Sequence, residues 1–381
     1  MGIKAGVVGF GPVGQNICRC INELDLECDE VRVMACHERR TLLDEEEVFV
    51  HGLGEVFRED RLRLFEDLDV VFLSGREGEK GAAKTWGMAA LDSGYKCFMI
   101  DNGGDFRMDP RFPLVVPEIN MDQVSARTKF IASPNCSTIQ MCVALAPLHA
   151  VAPIKRVVVT TFQSVSGYGR DGQTELKNQL ECCRVDELGC QEFDYDCTVF
   201  RKPIVLDCLP HIDAFLDNGY TKEEMKMLYE TRKIFGCDEI ELCATTVRVP
   251  VEIGHAESIN VEFAGKMDAH TALGLWRAAR DTHGIVVIDD EARNDRDWPT
   301  PKEPEGSYNG HDVAHERTYP TQRDVRLDQY KNLVLVGRTR DDYTTPNAIN
   351  FWCVADNLRK GAATNVVQIG RELVERGLIG G

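Results

Sequence analysis

The sequence contains no apolar run close to the roughly 18 residues that a membrane-spanning helix requires. Its start, MGIKAGVVGFGPVG, lacks the separate apolar segment and cleavage site of a signal peptide. No CxxC pair occurs among its 15 Cys, so a zinc site of that kind is not expected. These absences predict a metal-free chain without membrane contact, with reduced thiols in the cytoplasm.

Basic residues are scarce beside acidic ones. The chain has 44 Lys and Arg against 62 Asp and Glu, which gives a net charge of −18. Such a chain repels a phosphodiester backbone, so general nucleic-acid binding is not expected. One or two basic side chains in a cleft can still bind a small anion. With 381 residues, of which 43% are hydrophobic, the chain is long enough for two or three domains with sizeable cores.

Short apolar runs alternate with helix-like stretches over residues 4–133. The predicted strands are Ala5–Phe10, Val31–Cys36, Asp69–Ser74, Lys96–Ile100 and Lys129–Ala132. Between them lie segments with helical apolar spacing, such as Val13–Leu24 and Lys80–Ser93. This alternation predicts an open, mostly parallel sheet with helices on both faces.

Longer strand patterns follow residue 150, at Val157–Phe162, Glu241–Val251 and Ser258–Phe263. In the last of these, apolar and polar residues alternate, so one face meets a core and the other is wetter. We therefore predict a second sheet that helices cover on one side. Residues 361–378 have helical spacing and are predicted to form a helix near the end of the chain.

The sequence GFGPVG at residues 9–14 follows the first predicted strand and opens a helix, which is the context of a dinucleotide fingerprint. Its glycines permit a tight turn, close approach of a pyrophosphate, and packing of the helix on the strand. The helix start then offers unpaired N–H groups to the phosphates. The predicted cofactor contacts are Gly9, Gly11, Pro12, Val13 and Gly14; an ordinary tight turn is the alternative.

Charged residues follow the second predicted strand, where the ribose of the adenosine is expected. Glu38 lies where an acid would bind the ribose hydroxyls of NAD. Arg39 and Arg40 could instead pair with the 2′-phosphate of NADP. A solvated charged turn is the third interpretation.

The segment SPNCST at residues 133–138 joins a predicted strand to a helix. Pro134 ends the strand, Asn135 can cap the helix, and Cys136 falls in the first helical turn. The positive end of a helix favours thiolate, so Cys136 is predicted to have a lowered pKa and to be the nucleophile. Most of the remaining Cys are interpreted as small apolar residues.

The segment SPNCSTIQM resembles the active-site segment of aspartate-β-semialdehyde dehydrogenases. Further segments match in the family's order: FRMDPRFPLVVPEIN (106–120), TFQSVSGYG (161–169), CLPHID (208–213), YTKEEMKM (220–227), TTVRVPVEIGHAES (245–258) and ADNLRKGAATNVVQI (355–369). The resemblance covers most of the chain outside 15–95 and 265–350. It implies NADPH-dependent reduction of aspartyl phosphate to aspartate semialdehyde, with release of phosphate, in the pathway to lysine, threonine and methionine.

Together with the patterns above, the resemblance implies an α/β fold of two domains. Residues 1–134 with 354–381 form a Rossmann-type parallel-sheet nucleotide-binding domain. Residues 135–353 form an α+β catalytic and dimerisation domain with a mixed sheet, so a homodimer or homotetramer is expected. Residues 292–312, rich in Pro, Gly and charge, are predicted to be a loop insertion.

The resemblance implies three catalytic residues. Cys136 attacks the acyl phosphate and carries a thioester, which splits a difficult step into two easier ones. His255 is the acid/base, with a pKa expected near neutrality. Gln163 orients the substrate near the nucleophile.

The resemblance also implies the substrate and cofactor contacts. A guanidinium fork at Arg248 binds the α-carboxylate, and Glu223 binds the amino group. Lys226 and Arg107 bind phosphate, and Asn135 contacts the substrate. The cofactor contacts that it adds are Ser74, Ser166, Gly167 and Asn357. NADP is the predicted cofactor, and NAD is the alternative.

Some of these residues have plainer interpretations. Arg248 is out of phase with Val247 and Val249, so on a strand it is expected to point away from the apolar face, as a solvated Arg does. Glu223 and Lys226, three residues apart on a helix, could form a surface ion pair. Their neighbour Glu224 is predicted to complete a capping box.

The chain departs from the family near the expected phosphate site. Asp101-Asn102-Gly103-Gly104 stands where relatives often have Asp-Asn-Ser-Ser, and Asp105 adds a negative charge. The alternative functions are a related reductase of another acyl phosphate, such as acetylglutamyl phosphate, or of an acyl-CoA, and a non-catalytic binding protein on the same fold. The residues around Cys136 argue against the first two, and the intact set of site residues argues against the third.

Overall fold

The structure is a computed structural model that describes residues 2–75, 77–185, 191–192, 197–289 and 319–380. The predicted insertion at 292–312 lies outside the described residues. The helices of the described part are α1 (Pro12–Glu23), α2 (Met88–Asp92), α3 (Pro117–Asn120), α4 (Cys136–His149), α5 (Gly169–Cys182), α6 (Lys222–Phe235), α7 (Ala269–Ala278), α8 (Arg280–His283) and α9 (Thr364–Glu375). None of them is both long and apolar enough to cross a bilayer.

The first sheet contains β1 (Ile3–Val8), β2 (Cys28–Ala35), β3 (Arg39–Leu43), β4 (Glu46–Gly52), β5 (Val70–Leu73), β6 (Phe98–Asp101) and β7 (Phe130–Ala132). Their order is β3-β4-β2-β1-β5-β6-β7, and only β3 runs antiparallel to its neighbour. The predicted parallel sheet is therefore confirmed, with strand bounds shifted by up to three residues.

The hairpin of β3 and β4 is an addition that the sequence patterns missed. Its turn residues Asp44 and Glu45 both have positive φ, 50° and 73°, without the Asn-Gly or Asp-Gly pair that usually marks such a turn. Arg19 holds the turn by donating two hydrogen bonds to the carboxylate of Asp44, at 2.6 and 2.9 Å.

Helices cover both faces of the first sheet. Buried residues of α1 and α9, including Ile17, Ile21 and Val366, pack on one face. Trp86 and Ala90, from the π-helical turn Ala83–Gly87 and from α2, pack on the other. Helix α9 thus belongs to the packing of the first sheet, although it follows the second sheet in the chain. The domain bounds 1–134 with 354–381 and 135–353 stay a prediction.

The second sheet contains β8 (Ile154–Gln163), β11 (Glu241–Arg248), β12 (His255–Phe263), β13 (Ile285–Val287), β14 (Val334–Asp341) and β15 (Ala348–Ala355). Its order is β11-β8-β12-β15-β14-β13, with both parallel and antiparallel neighbours. A separate small hairpin pairs β9 (Arg184–Val185) with β10 (Gln191–Glu192). The predicted mixed sheet is confirmed.

Buried residues of α4, α6 and α7 cover one face of the second sheet, with Trp276 at the centre of the packing. Side chains on the opposite face, such as Val158, Thr160, Ser258 and Asn260, stay partly or fully exposed. Helix α4 starts directly after the short segment that follows β7. Its later residues, such as Ile139 and Leu145, pack in the core of the second sheet, and its first residue, Cys136, lies where the two parts of the fold meet.

Candidate active site

Asn135 begins α4 and presents the nucleophile candidate. Its side-chain oxygen accepts hydrogen bonds from the backbone N–H groups of Ser137 and Thr138, at 3.0 and 3.4 Å, so it is the predicted N-cap. Cys136, the first residue of α4, is partly accessible. Its side chain faces a cavity of about 310 Å³.

Many of the predicted site residues line this one cavity. They are Val13, Arg107, Asn135, Cys136, Gln163, Ser166, Gly167, Glu223, Lys226, Arg248 and Asn357. The predicted residues outside its lining are Gly9, Gly11, Pro12, Gly14, Glu38, Arg39, Ser74 and His255. The cavity thus joins Val13, from the glycine loop, to the thiol.

Glu223 is the carboxylate at the centre of the cavity's polar wall. Its Oε1 accepts hydrogen bonds from Asn135 Nδ2 at 2.9 Å and from Gln163 Nε2 at 3.1 Å. The Lys226 ammonium lies 3.3 Å from Oε2 of Glu223 and 2.9 Å from Oδ2 of Asp213. Burial by itself lowers the pKa of Lys226, but these two carboxylates raise it above its ordinary value. The pair is therefore a partly buried feature of the cavity and not a surface ion pair.

The predicted capping box next to this pair is confirmed. Thr221 N donates to Glu224 Oε2 at 2.7 Å, and Glu224 N donates to Thr221 Oγ1 at 3.3 Å. Glu224 also accepts a hydrogen bond from the Thr246 amide of β11 at 3.1 Å. Because Glu224 takes this structural role, Glu223 is available to the cavity.

Arg107 reaches the cavity as a buried, fully oriented guanidinium. Its Nε donates to the Ser133 carbonyl at 2.9 Å, and Nη2 donates to the Asn102 carbonyl at 3.0 Å. Its Nη1 lies 3.3 Å from Oε1 of Glu230, whose side chain is only 1% exposed. The other oxygen of Glu230 accepts the Asn135 amide at 2.6 Å. Glu230 therefore links the guanidinium to the residue before the nucleophile.

Glu230 and Lys233 are site residues that were not predicted from the sequence. Lys233 donates to the backbone carbonyls of Arg107, Asp109 and Phe112, at 2.7 to 2.9 Å, and so holds the segment that carries Arg107. A signal was present, because residues 223, 226, 230 and 233 are all charged and recur at helical spacing on α6. Such a stripe of alternating charges along one face of a helix indicates partners on other elements.

Arg248, at the end of β11, is 4% exposed, and its Nη1 donates to the Ser164 carbonyl at 2.6 Å. The prediction that it points away from the packed face is wrong. Arg248 shares the buried side of β11 with Ala244 and Thr246, whereas Val247 lies on the less buried side. Val247 lies on the outer face of this sheet, which also carries apolar residues such as Phe162.

His255 is fully buried and lies behind Gly167. A side-chain carbon at Gly167 would come within 3.5 Å of its Nε2. The Ser164 amide donates to Nδ1 at 3.1 Å, which assigns the ring proton of the neutral imidazole to Nε2. Nε2 has no hydrogen-bond partner within the described residues.

The predicted near-neutral pKa of His255 is wrong. Burial, with a smaller contribution from the Arg248 charge, lowers it to about 3. The imidazole is therefore neutral at physiological pH, and it presents a hydrogen-bond donor at Nε2.

The prediction that the Cys136 pKa is lowered is also wrong for the ligand-free chain. Burial and, to a smaller extent, the Glu223 carboxylate raise the pKa of the thiol to about 12, although Arg107 and Arg248 oppose them. The helix start was the correct local feature. Removal of water around the thiol, which local sequence does not reveal, outweighs it.

The glycine loop fits a dinucleotide. Gly9 has a φ of 97°, and a Cβ at Gly14 would come within 1.9 Å of the Gly9 carbonyl oxygen, so neither position accepts a side chain. A Cβ at Gly11 would meet no atom within 4 Å, which leaves room above the start of α1. Ser74 Oγ donates to the Val8 or the Gly9 carbonyl, at 3.1 or 3.2 Å, behind the loop.

The candidates for the adenosine end lie at the start of β3. Arg39 and Glu38 are exposed, and Arg39 donates to the His37 carbonyl at 3.3 Å. Arg40 instead pairs with Glu47 at 3.0 Å and packs over Phe49 within its hairpin. Arg39 is therefore better placed than Arg40 to meet a ligand.

Asn357 ties the predicted cofactor contacts to the imidazole. Its Oδ1 accepts hydrogen bonds from the Gly254 amide at 2.9 Å, Ser164 Oγ at 3.0 Å and Ser166 Oγ at 3.1 Å. One side-chain oxygen therefore joins the loop after β8, the start of β12 and the segment after β15. Asn357 also lines the cavity.

A parallel-sheet dinucleotide fold joined to a mixed-sheet domain, with a cysteine nucleophile candidate between them, defines the class of nucleotide-dependent dehydrogenases. Residues 4–127 match the family model described as semialdehyde dehydrogenase, NAD binding domain. Residues 145–360 match the model described as semialdehyde dehydrogenase, dimerisation domain.

Similar proteins cover almost the whole chain. An aspartate-semialdehyde dehydrogenase of Aquifex aeolicus is 38% identical and covers 100% of both chains. Aspartate-semialdehyde dehydrogenase 2 of Vibrio cholerae is 37% identical over 96% of this chain and 95% of its own. A crystal structure of the Vibrio cholerae enzyme II complexed with ASA has a TM-score of 0.79 and 35% identity, and covers 98% of this chain and 99% of its own. The chain belongs to the aspartate-semialdehyde dehydrogenase family and is an oxidoreductase with an NAD(P)-binding domain.

Proposed function

We propose that the protein interconverts aspartyl phosphate and aspartate semialdehyde plus phosphate, with NADP as cofactor and a thioester on Cys136. The observation that supports this most strongly is the composition of the cavity. The thiol shares it with Glu223 and with three cationic side chains, those of Arg248, Arg107 and Lys226. An amino acid that also carries a phosphate has one positive group and two negative groups, and one carboxylate with three cationic side chains can pair with all of them.

Arg248 and Glu223 are proposed to bind the two charged ends of the amino acid. The guanidinium pairs with the α-carboxylate, and the Glu223 carboxylate pairs with the ammonium group. Asn135 and Gln163 both donate to Oε1 of Glu223, so they hold the carboxylate in place for the substrate. The structure of the Vibrio cholerae enzyme with ASA, from a relative at 35% identity, supports this choice of substrate.

Arg107 and Lys226 are proposed to bind phosphate. Arg107 is held by two backbone carbonyls and by Glu230, so its orientation is set before a ligand arrives. Such preorganisation lowers the ordering cost of binding an anion. Lys226 adds a second positive charge to the same cavity.

Cys136 is proposed to form the thioester. Its sulfur attacks the acyl carbon, the bond from that carbon to the phosphate oxygen breaks, and phosphate leaves with the electron pair and takes up the proton of the thiol. In the ligand-free chain the thiol is protonated, since burial and Glu223 raise its pKa to about 12. A substrate ammonium paired with Glu223 removes one of these two causes.

His255 is proposed to stabilise the negative charge that develops on the substrate oxygen. Its Nδ1 is engaged by the Ser164 amide, so Nε2–H is the group available to donate. A neutral imidazole in a dry site is a strong electrophilic partner for an oxyanion. When bound, the nicotinamide supplies or accepts the hydride. The residues proposed to hold it are Val13, Ser166, Gly167 and Asn357, which line the cavity.

The choice of NADP rests on Arg39. Arg40 pairs with Glu47 within its hairpin, whereas Arg39, the exposed first residue of β3, has no carboxylate partner among the described residues. Glu38 opposes this choice, because a carboxylate prefers the ribose hydroxyls of NAD to a phosphate. NAD therefore stays the alternative.

A homodimer is proposed to form through the outer face of the second sheet, and a tetramer is the alternative. That face carries partly exposed apolar residues such as Val158 and Phe162. The description of the matching family model, a dimerisation domain, supports this proposal.

The test is an assay in the oxidative direction with aspartate semialdehyde, phosphate and either NADP⁺ or NAD⁺. We expect reduction of NADP⁺ that depends on phosphate, and a burst of thiol loss when substrate is added without phosphate. N-acetylglutamate semialdehyde serves as the control substrate and should react about 100-fold more slowly, because its acetylated nitrogen leaves the buried Glu223 carboxylate without a charged partner. Equal rates with both aldehydes, or a rate independent of phosphate, would overturn the proposed function.

A further inference from the structure

The turn of Gly103 and Gly104 after β6 presents two consecutive backbone amides to carboxylates. Gly103 N donates to Asp101 Oδ1, and Gly104 N donates to Glu77 Oε1, both at 2.9 Å. Backbone amides in a tight turn are suitable donors to an anion. In the ligand-free chain, the carboxylates of Asp101 and Glu77 accept the hydrogen bonds of these two amides.

Glu77 packs closely against this turn, most tightly at Gly104. A Cβ at Gly104 would come within 3.2 Å of Glu77 Oε2, and a Cβ at Gly103 would come within 3.5 Å of Glu77 Cγ. Glu77 comes from the loop after β5, on the neighbouring strand. Asp105, the acidic residue that the sequence analysis placed near phosphate, instead accepts the Gly78 amide at 2.8 Å and lies 3.5 Å from Lys84.

Glu77 lines the same cavity as Arg107 and Cys136. Its charge helps to raise the pKa of Arg107 against the opposing effect of burial, so the carboxylate and the guanidinium interact. Glu77 is otherwise exposed to solvent and is not locked by packing. It can therefore leave the turn when another anion arrives.

We propose that Glu77 occupies the anion subsite beside Arg107 as an internal competitor of inorganic phosphate, and so determines how strongly the enzyme binds phosphate. This rests on the proposed function, in which Arg107 binds the phosphate group. The carboxylate takes the Gly104 amide and part of the charge of Arg107 in the free enzyme, and phosphate must displace it. Weak rebinding of phosphate favours release of this product during reduction of the acyl phosphate.

The test compares Glu77→Gln and Glu77→Ala with wild type. Because one charged hydrogen bond is lost, the Michaelis constant for phosphate should fall about two- to tenfold, and fall more than the constant for the aldehyde. Glu79→Gln is the matched control. It removes the same charge two residues away, where Glu79 pairs with Lys84 at 2.8 Å and does not line the cavity.

Calorimetric titration of each variant with inorganic phosphate alone gives a readout that does not need turnover. A lower dissociation constant in both Glu77 variants and not in Glu79→Gln supports the proposal. An unchanged or higher constant in the Glu77 variants overturns it, and so does an equal fall in Glu79→Gln, which would reflect net charge alone. Wild-type activity that does not depend on phosphate would instead refute the proposed function, and the titration would still decide the role of Glu77.

Discussion

Replacing Gly361 with alanine places a methyl group against the proposed nucleophile. Gly361 lies in the π-helical turn Arg359–Ala363 that precedes α9. A Cβ at this position would come within 2.9 Å of Cys136 Cβ and 3.3 Å of its Cα and carbonyl oxygen. Carbon atoms in contact normally lie about 3.5–4.0 Å apart, so the two segments must separate by roughly 0.6–1 Å.

The expected cost follows from this overlap. Forcing a methyl group into a packed site destabilises a protein by about 1–3 kcal/mol. Replacing a helical glycine with alanine stabilises the helix by about 0.5–1 kcal/mol, so the two effects oppose each other. Gly274→Ala on α7 is the matched control, because a Cβ there would meet no atom within 4 Å. The difference in stability between the two variants therefore measures the cost of the overlap alone. For a chain of this length, that cost corresponds to a melting temperature about 1–4 °C lower for Gly361→Ala than for Gly274→Ala.

The effect on catalysis should exceed the effect on stability. A displacement of about 1 Å at a reacting atom can cost about 100-fold in rate. We expect kcat/KM of Gly361→Ala to fall about 10- to 100-fold, measured with aspartate semialdehyde, while Gly274→Ala keeps the wild-type value. If Gly361→Ala has the melting temperature of Gly274→Ala and the kcat/KM of the wild type, the close approach to Cys136 is refuted.

Four further predictions concern the site. Cys136→Ser should lose nearly all turnover yet retain cofactor binding, measured by fluorescence titration, because an alkoxide is far harder to form than a thiolate; a tenth of the wild-type rate would contradict the covalent mechanism. Arg248→Lys, which keeps the charge and loses the planar fork, should lower kcat/KM for aspartate semialdehyde more than it changes the phosphate Michaelis constant; an unchanged kcat/KM would remove this residue from the substrate site. Burial lowers the pKa of His255 from 6.5 to about 3. As pH falls below about 6.5, the imidazole takes up a proton in the unfolded chain but not in the folded one, so the folded state loses stability. Between pH 7 and pH 5 this loss is about 2 kcal/mol in denaturant titrations; His255→Asn should show a smaller loss, and equal losses in both proteins would contradict the shift. Arg39→Ala should weaken NADP⁺ selectively and Glu38→Ala should improve it slightly; a preference for NAD⁺ that Glu38→Ala relaxes would assign the ribose to Glu38.

Features that depend on neighbours in the chain were predictable from the sequence. The strand, glycine loop and helix at residues 3–23 follow from apolar runs and from the conformations that only glycine adopts readily. The caps formed by Asn135 and Thr221 follow from side chains that reach amides two or three residues away. A second sheet with one packed face also followed from its alternating residues, because strand periodicity is a local property.

Features that depend on distant residues were not predictable in this way. The hairpin of β3 and β4 lacks the usual turn residues. Glu230 became part of the site only through partners 95 and 123 residues away, Asn135 and Arg107. The pKa values of Cys136 and His255 moved in directions that the local sequence did not predict, toward about 12 and about 3. Burial and distant charges set a pKa, and both exist only when the two sheets and the segment around Gly361 have packed together.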